Sequence, residues 1–165
     1  MSDDDSKKLA TMKEIMKEII RKMGILELEP NEKEISKFCN LIDDINELYF
    51  DKEVAIKAGF EDKVIPPGYV MNFTVPATHN FIISGGSEFV PGIIKGVIHV
   101  GSIVEYYNPM TVNKGYIIKT EVSDPVKKTG SKGSYYSVII KLSILNEKKD
   151  MVYAIDNHEF FFKLS

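Results

Sequence analysis

The hydrophobic period of the chain changes near residue 96, and this one change excludes most fold classes. Before it, apolar residues recur at helical steps. After it, they alternate or run in β-branched and aromatic stretches. Helices first and strands afterwards, without alternation, predict an α+β domain and not a βαβ one. Leu9, Met12, Ile15, Met16, Ile19, Ile20 and Met23 form one stripe, with Lys13, Glu14, Lys17, Glu18 and Arg21 opposite. That stripe predicts a helix ended by Gly24, packed on its own domain or on a copy of it, after a frayed segment 1–8. Asn31 and Glu34 have capping-box spacing and open a second helix that buries Ile35, Phe38, Cys39 and Ile42. Asp43-Asp44-Ile45-Asn46 reads as a turn, and Asp51 caps a further short helix that stops near Gly59. The stretch 69–81 reads as a buried helix that Pro76 must kink, end or restart, with Gly85-Gly86 beyond it as a flexible loop.

In the second half, residues 97–107, 115–122, 134–144 and roughly 151–163 read as long antiparallel strands joined by hairpins. Tyr136, Val138, Ile140, Leu142 and Ile144 give the clearest period of two. The segment 126–133, with Lys127, Lys128 and Lys132, reads as a solvated basic loop, with phosphate contact as the less favoured use.

Composition narrows function by exclusion. At 165 residues, 44% hydrophobic, the chain is one domain with a sizeable core. Its 21 basic and 24 acidic residues give a net charge of −3, which argues against a nucleic-acid partner. One cysteine, Cys39, excludes an internal disulfide framework and reads as packing. His79, His99 and His158 show no metal-ligand spacing, and each reads as structural. No apolar run approaches the roughly 20 residues that cross a membrane, and the start MSDDDSKK does not read as a signal peptide. The expectation is a cytoplasmic protein with no metal, no cofactor and no membrane or nucleic-acid partner. A phosphate loop, a Gly-x-Ser-x-Gly elbow and a His-Glu-x-x-His pair are all missing from the sequence.

The polar break between two helices carries more information. Asp44, Asn46 and Leu48, then Ala55 and Gly59-Phe60, then Ile65-Pro66-Pro67-Gly68, keep the order and spacing of a known pattern. So does the strand from His99 to Tyr107, followed by Asn108-Pro109-Met110. Over about residues 27–163 the chain resembles the MaoC-like (R)-specific enoyl-thioester hydratases and dehydratases. It is most similar to their N-terminal, fatty-acid-synthase-type dehydratase branch. The resemblance implies a hot-dog fold: a long antiparallel sheet wrapped around a central helix, here as residues 25–165 after an N-terminal helical extension, 1–24. It implies addition or removal of water at the 2,3 position of an acyl-CoA or acyl-carrier thioester, with no cofactor. It implies pairing with a second hot-dog chain, as homodimer or heterodimer.

The site residues carried over are Asp44, Asn46 and Tyr49 for catalysis, and Glu47, Pro67, Gly68 and Tyr69 for substrate binding. Tyr49 stands where the hydratases carry His. A phenol, with a pKa of about 10, donates a hydrogen bond but is a poor base at neutral pH. The resemblance therefore leaves three readings open. The chain is a hydratase or dehydratase with altered residues, a non-catalytic subunit that binds the acyl chain beside a His-bearing partner, or an acyl-CoA thioesterase.

Overall fold

The structure is a computed structural model, which describes residues 3–89, 93–131 and 133–165. Helix α1, Asp3–Met23, begins well before the apolar stripe, so the segment expected to fray is mostly helical. Met12, Met16 and Ile19 on its stripe are fully buried, in the same core as the sheet. Gly24 ends the helix in the left-handed region, at φ 62°. The chain then forms β1, Ile25–Leu28, a short strand with no clear periodicity of its own that pairs antiparallel with a later strand.

Helix α2, Glu32–Leu41, is capped by Asn31, whose side chain accepts from the N–H groups of Lys33 and Glu34. It buries Ile35 and Cys39, but Ile42, expected in the core, is exposed because the helix ends one residue before it. Two short helices follow, α3, Glu47–Phe50, and α4, Lys52–Lys57, capped by Asn46 and Asp51. A one-turn 3-10 helix, Pro67–Val70, leads into the central helix α5, Met71–Phe89. Pro76 neither ends nor restarts α5, and the helix also runs through Gly85-Gly86, where a loop was expected. Burial of Thr74, Ala77, Thr78 and Phe81 against the sheet outweighs the weak helix propensity of those positions.

The sheet contains β2, Ile94–Tyr106, β3, Tyr116–Val122, β4, Val126–Gly130, β5, Gly133–Asn146, and β6, Val152–Leu164. All pairings are antiparallel, in the order β1-β3-β5-β6-β2, with β4 beside β5. The basic segment is therefore largely a strand; Lys132 lies outside the described residues. β2 and β3 do not form the expected hairpin. β2 pairs with β6 instead, because the connection after it docks on the segment before α5. Ile65 N–H donates to Met110 C=O at 2.8 Å and Val112 N–H to Lys63 C=O at 3.0 Å.

The inner face is the alternating set Tyr136, Val138, Ile140, Leu142 and Ile144 of β5, continued on β6 by Ala154, Asp156, His158, Phe160 and Phe162. α5 and α1 cover it, so the sheet wraps a central helix. β2 is the long edge strand, at the opposite end of the sheet from the short edge strand β1. β2 exposes Ile98 (65%) and Ile103 (70%), and a bulge at Val100 separates its two halves.

Candidate functional site

Helix α2 ends in a left-handed turn at Asp43, φ 57°, with Asp44 N–H returning to Cys39 C=O at 2.9 Å. This closure places Asp44 between the end of α2 and the start of α3. Asn46 then caps α3, its Oδ1 accepting from Leu48 N–H at 3.0 Å. The Asn46 carboxamide is thus engaged in holding the backbone. Tyr49, one turn on, is half-buried. Burial holds its phenol above the usual range, and the Asp44 carboxylate and Cys39 push it in the same direction. Burial also pushes the Cys39 thiol up, with Asp44 adding to it. The Asp44 carboxylate thus acts electrostatically on both Cys39 and Tyr49. Glu47 is exposed, at the first turn of α3.

The second group of expected site residues lies at the start of the central helix. Gly68 faces α2: a Cβ there would stand 3.7 Å from the Phe38 ring, an ordinary contact. Tyr69 is buried, with its ring edge-on to Phe38 and to Phe73, both at 5.2 Å between centroids. Its ring belongs to the core. Pro67 lines a pocket of about 260 Å³ with Ile65, Val70, Tyr106, Pro109 and Met110. Tyr106 Oη donates to the Pro67 carbonyl at 3.0 Å. Helix α2 supports both groups, through Cys39 on one side and Phe38 on the other. The bond from Val64 N–H to Leu48 C=O, 2.9 Å, ties α3 to the segment before Pro67.

A polar cluster that the sequence did not single out lies between α5 and the sheet. Asp156 is fully buried on β6, and Thr74 of α5 donates to its Oδ2 at 2.6 Å. His158 Nε2 stands 2.9 Å from the same oxygen without forming a hydrogen bond to it. His158 Nδ1 and His99 Nε2 are 3.2 Å apart. The Tyr106 phenol is held above its usual range by burial and then by the Asp156 carboxylate. The only sequence signal for this cluster was the i, i+2 spacing of Asp156 and His158 on an alternating strand. Joining His99 to them needed the β2–β6 register. Among the described residues no group of three or more His, Cys, Asp or Glu is placed to hold a metal ion.

A family model described as the FAS1-like, dehydratase domain region matches residues 22–154. The chain belongs to the FAS1-like dehydratase domain family. No curated protein sequence matches it. Among solved structures it is similar to the ChsH1-ChsH2 complex from Mycobacterium tuberculosis, at 18% identity and a TM-score of 0.66, over 94% of this chain and 98% of that one. It is similar to the C-terminally truncated HadBC (3R-hydroxyacyl-ACP dehydratase) complex of the same organism, at 12% identity and a TM-score of 0.62, over 84% and 94%. The (R)-hydratase of A. caviae involved in PHA biosynthesis matches at 17% identity and a TM-score of 0.54, over 83% and 91%. At these identities the structural likeness establishes the hot-dog fold of this dehydratase-family chain. No helix among the described residues is long and apolar enough to cross a membrane.

Proposed function

We propose that the chain is one half of a hot-dog dimer that binds an acyl thioester and adds or removes water across its 2,3 bond. The observation that carries this reading is the placement of Asp44 and Tyr49 at the junction of α2 and α3, which the Val64–Leu48 backbone bond ties to the segment that opens the central helix, in a chain of a dehydratase family. In this reading Asp44 orients the water and Tyr49 donates a hydrogen bond without acting as base. Asn46 holds the turn that presents them, and Glu47 lies at the rim. Pro67 and Gly68 place the helix start, whose amide groups favour the charge that develops on the thioester oxygen. Tyr69 shapes that end of the pocket from within the core. Water addition is acid–base chemistry, and the reading requires no cofactor. The single cysteine, buried and unpaired, suits a reducing cytoplasm.

A second reading, a non-catalytic half beside a His-bearing hot-dog chain, is favoured by Tyr49 itself. Two of the similar structures are complexes named for two chains, ChsH1-ChsH2 and HadBC. The open β2 edge suits either a second copy or such a partner. The test is hydration of crotonyl-CoA by the purified chain, as wild type and as Asp44→Asn. Turnover that Asp44→Asn abolishes without unfolding supports the active reading. No turnover, with turnover appearing on addition of a His-bearing hot-dog chain, supports the second. Fast turnover that Asp44→Asn leaves unchanged places the chemistry elsewhere.

A further inference from the structure

All three histidines of the chain, His79, His99 and His158, line one cleft of about 220 Å³ between α5 and the β2 edge of the sheet. Val75, Ile82 and Phe160 make its apolar walls. The His99 ring stacks on Phe160 at 4.7 Å and is exposed, whereas His158 is buried behind it. A hydrogen bond between two imidazoles needs one N–H and one lone pair, so one proton sits between His99 Nε2 and His158 Nδ1. Behind His158 stands the Asp156 carboxylate, fully buried and held by Thr74. A carboxylate in that place counters positive charge when the pair takes up a second proton.

The order is buried carboxylate, buried imidazole, exposed imidazole. Charge support lies inward and access lies outward, so His99 is the group that meets a ligand. Thr78 lines the same cleft at 4% exposure, and its Oγ1 is buried with no hydrogen-bond partner among the described residues. Buried hydroxyls are normally satisfied, and here a ligand oxygen or a water would satisfy it.

We propose that this cleft is an acid–base site in which His99 exchanges a proton with a water or hydroxyl at C3 of an acyl chain held against Val75, Ile82 and Phe160. That the ligand is an acyl thioester rests on the function proposed above; the reacting water is here placed at Thr78 and His99 and not at Asp44, which does not line this cleft. In the hydration direction His99 takes one proton from a water held by Thr78 as the oxygen bonds to C3. The π electron pair of the 2,3 bond shifts to C2, and the proton on His99 then forms the C2–H bond. One water is consumed and no other reactant is needed. His158 and Asp156 are positioning residues that carry the charge between the two transfers. Imidazole is the side chain suited to give and take a proton near neutral pH, which Tyr49 is not.

The experiment is crotonyl-CoA hydration by wild type and His99→Ala, alongside Asp44→Asn, with melting curves to show that each variant is folded. His99 is exposed, so its truncation leaves the core intact. A fall of about 10²-fold or more is expected for His99→Ala, in kcat and not in KM. Partial recovery in millimolar free imidazole is also expected, which a merely structural role would not give. Unchanged activity in His99→Ala with loss in Asp44→Asn overturns the His99 site and leaves the proposed reaction standing. A wild type that binds crotonyl-CoA without turning it over also overturns the site, and supports the non-catalytic reading. A wild type that does not bind it overturns both.

Discussion

Thr74 on the central helix and Asp156 on β6 are joined by a 2.6 Å hydrogen bond between the helix and the sheet. Both side chains are fully buried, and Asp156 Oδ1 has no hydrogen-bond partner among the described residues. Thr74→Val keeps the shape and removes the donor, so it leaves a buried carboxylate less satisfied. It should lower stability by about 1–3 kcal/mol, read by chemical denaturation. Thr74→Ser, which keeps the hydroxyl, should recover most of the loss.

Helix α1 is part of the core and not a tether, since Met12, Met16 and Ile19 are buried against the rest of the fold. Met16→Ala should cost about 2–5 kcal/mol, as for other buried Met truncations. Deletion of residues 1–24 should cause aggregation or a much lower Tm, because apolar surface of α5 and β3 is then uncovered. An unchanged melting curve would count against this packing.

The open β2 edge exposes Ile98 and Ile103 on a long strand with unpaired backbone groups. Such edges are normally paired or covered. Size-exclusion chromatography with light scattering should show a dimer at micromolar concentration, and Ile98→Lys with Ile103→Lys should shift it to monomer. A stable wild-type monomer would argue that the edge needs a different chain.

Four phenols, Tyr49, Tyr69, Tyr106 and Tyr116, are held above their ordinary range, in each case first by burial. The folded chain therefore keeps protons that the unfolded chain releases at about pH 10. Their contribution to stability is fully present below that pH and is lost as pH rises through the folded values. Denaturation midpoints should fall steeply above about pH 10. Absorbance at alkaline pH should show these phenols ionising late, together with unfolding, whereas ionisation near pH 10 in the folded chain would refute the assignment.

The fold was legible where periodicity is strong. The α1 stripe and the alternation of β5 translate directly into buried faces, and the caps at Asn31 and Asp51 stand where the sequence puts them. What was not legible depends on tertiary context. β1 is too short to carry a period, and α5 runs through Pro76 and Gly85-Gly86 because packing on the sheet outweighs local preference. The pairing of β2 with β6 instead of β3 is set by docking of the 107–115 connection, a long-range effect. The same register brings His99 to His158 and Asp156, residues separated by more than fifty positions in the chain. By contrast, Asp44 and Tyr49 are five positions apart, across the turn that joins two capped helices, so their relative placement is a local matter.

Binding of an acyl thioester to the wild-type chain can be measured by titration calorimetry with butyryl-CoA, a saturated ligand that cannot be hydrated. Saturable binding is expected, weakened by Ile82→Asp in the cleft wall and by Gly68→Asp at the helix start, where a carboxylate repels the partial negative charge of the thioester oxygen. A flat isotherm with the folded wild-type protein, under conditions where the dimer is present, would remove the acyl thioester from its function.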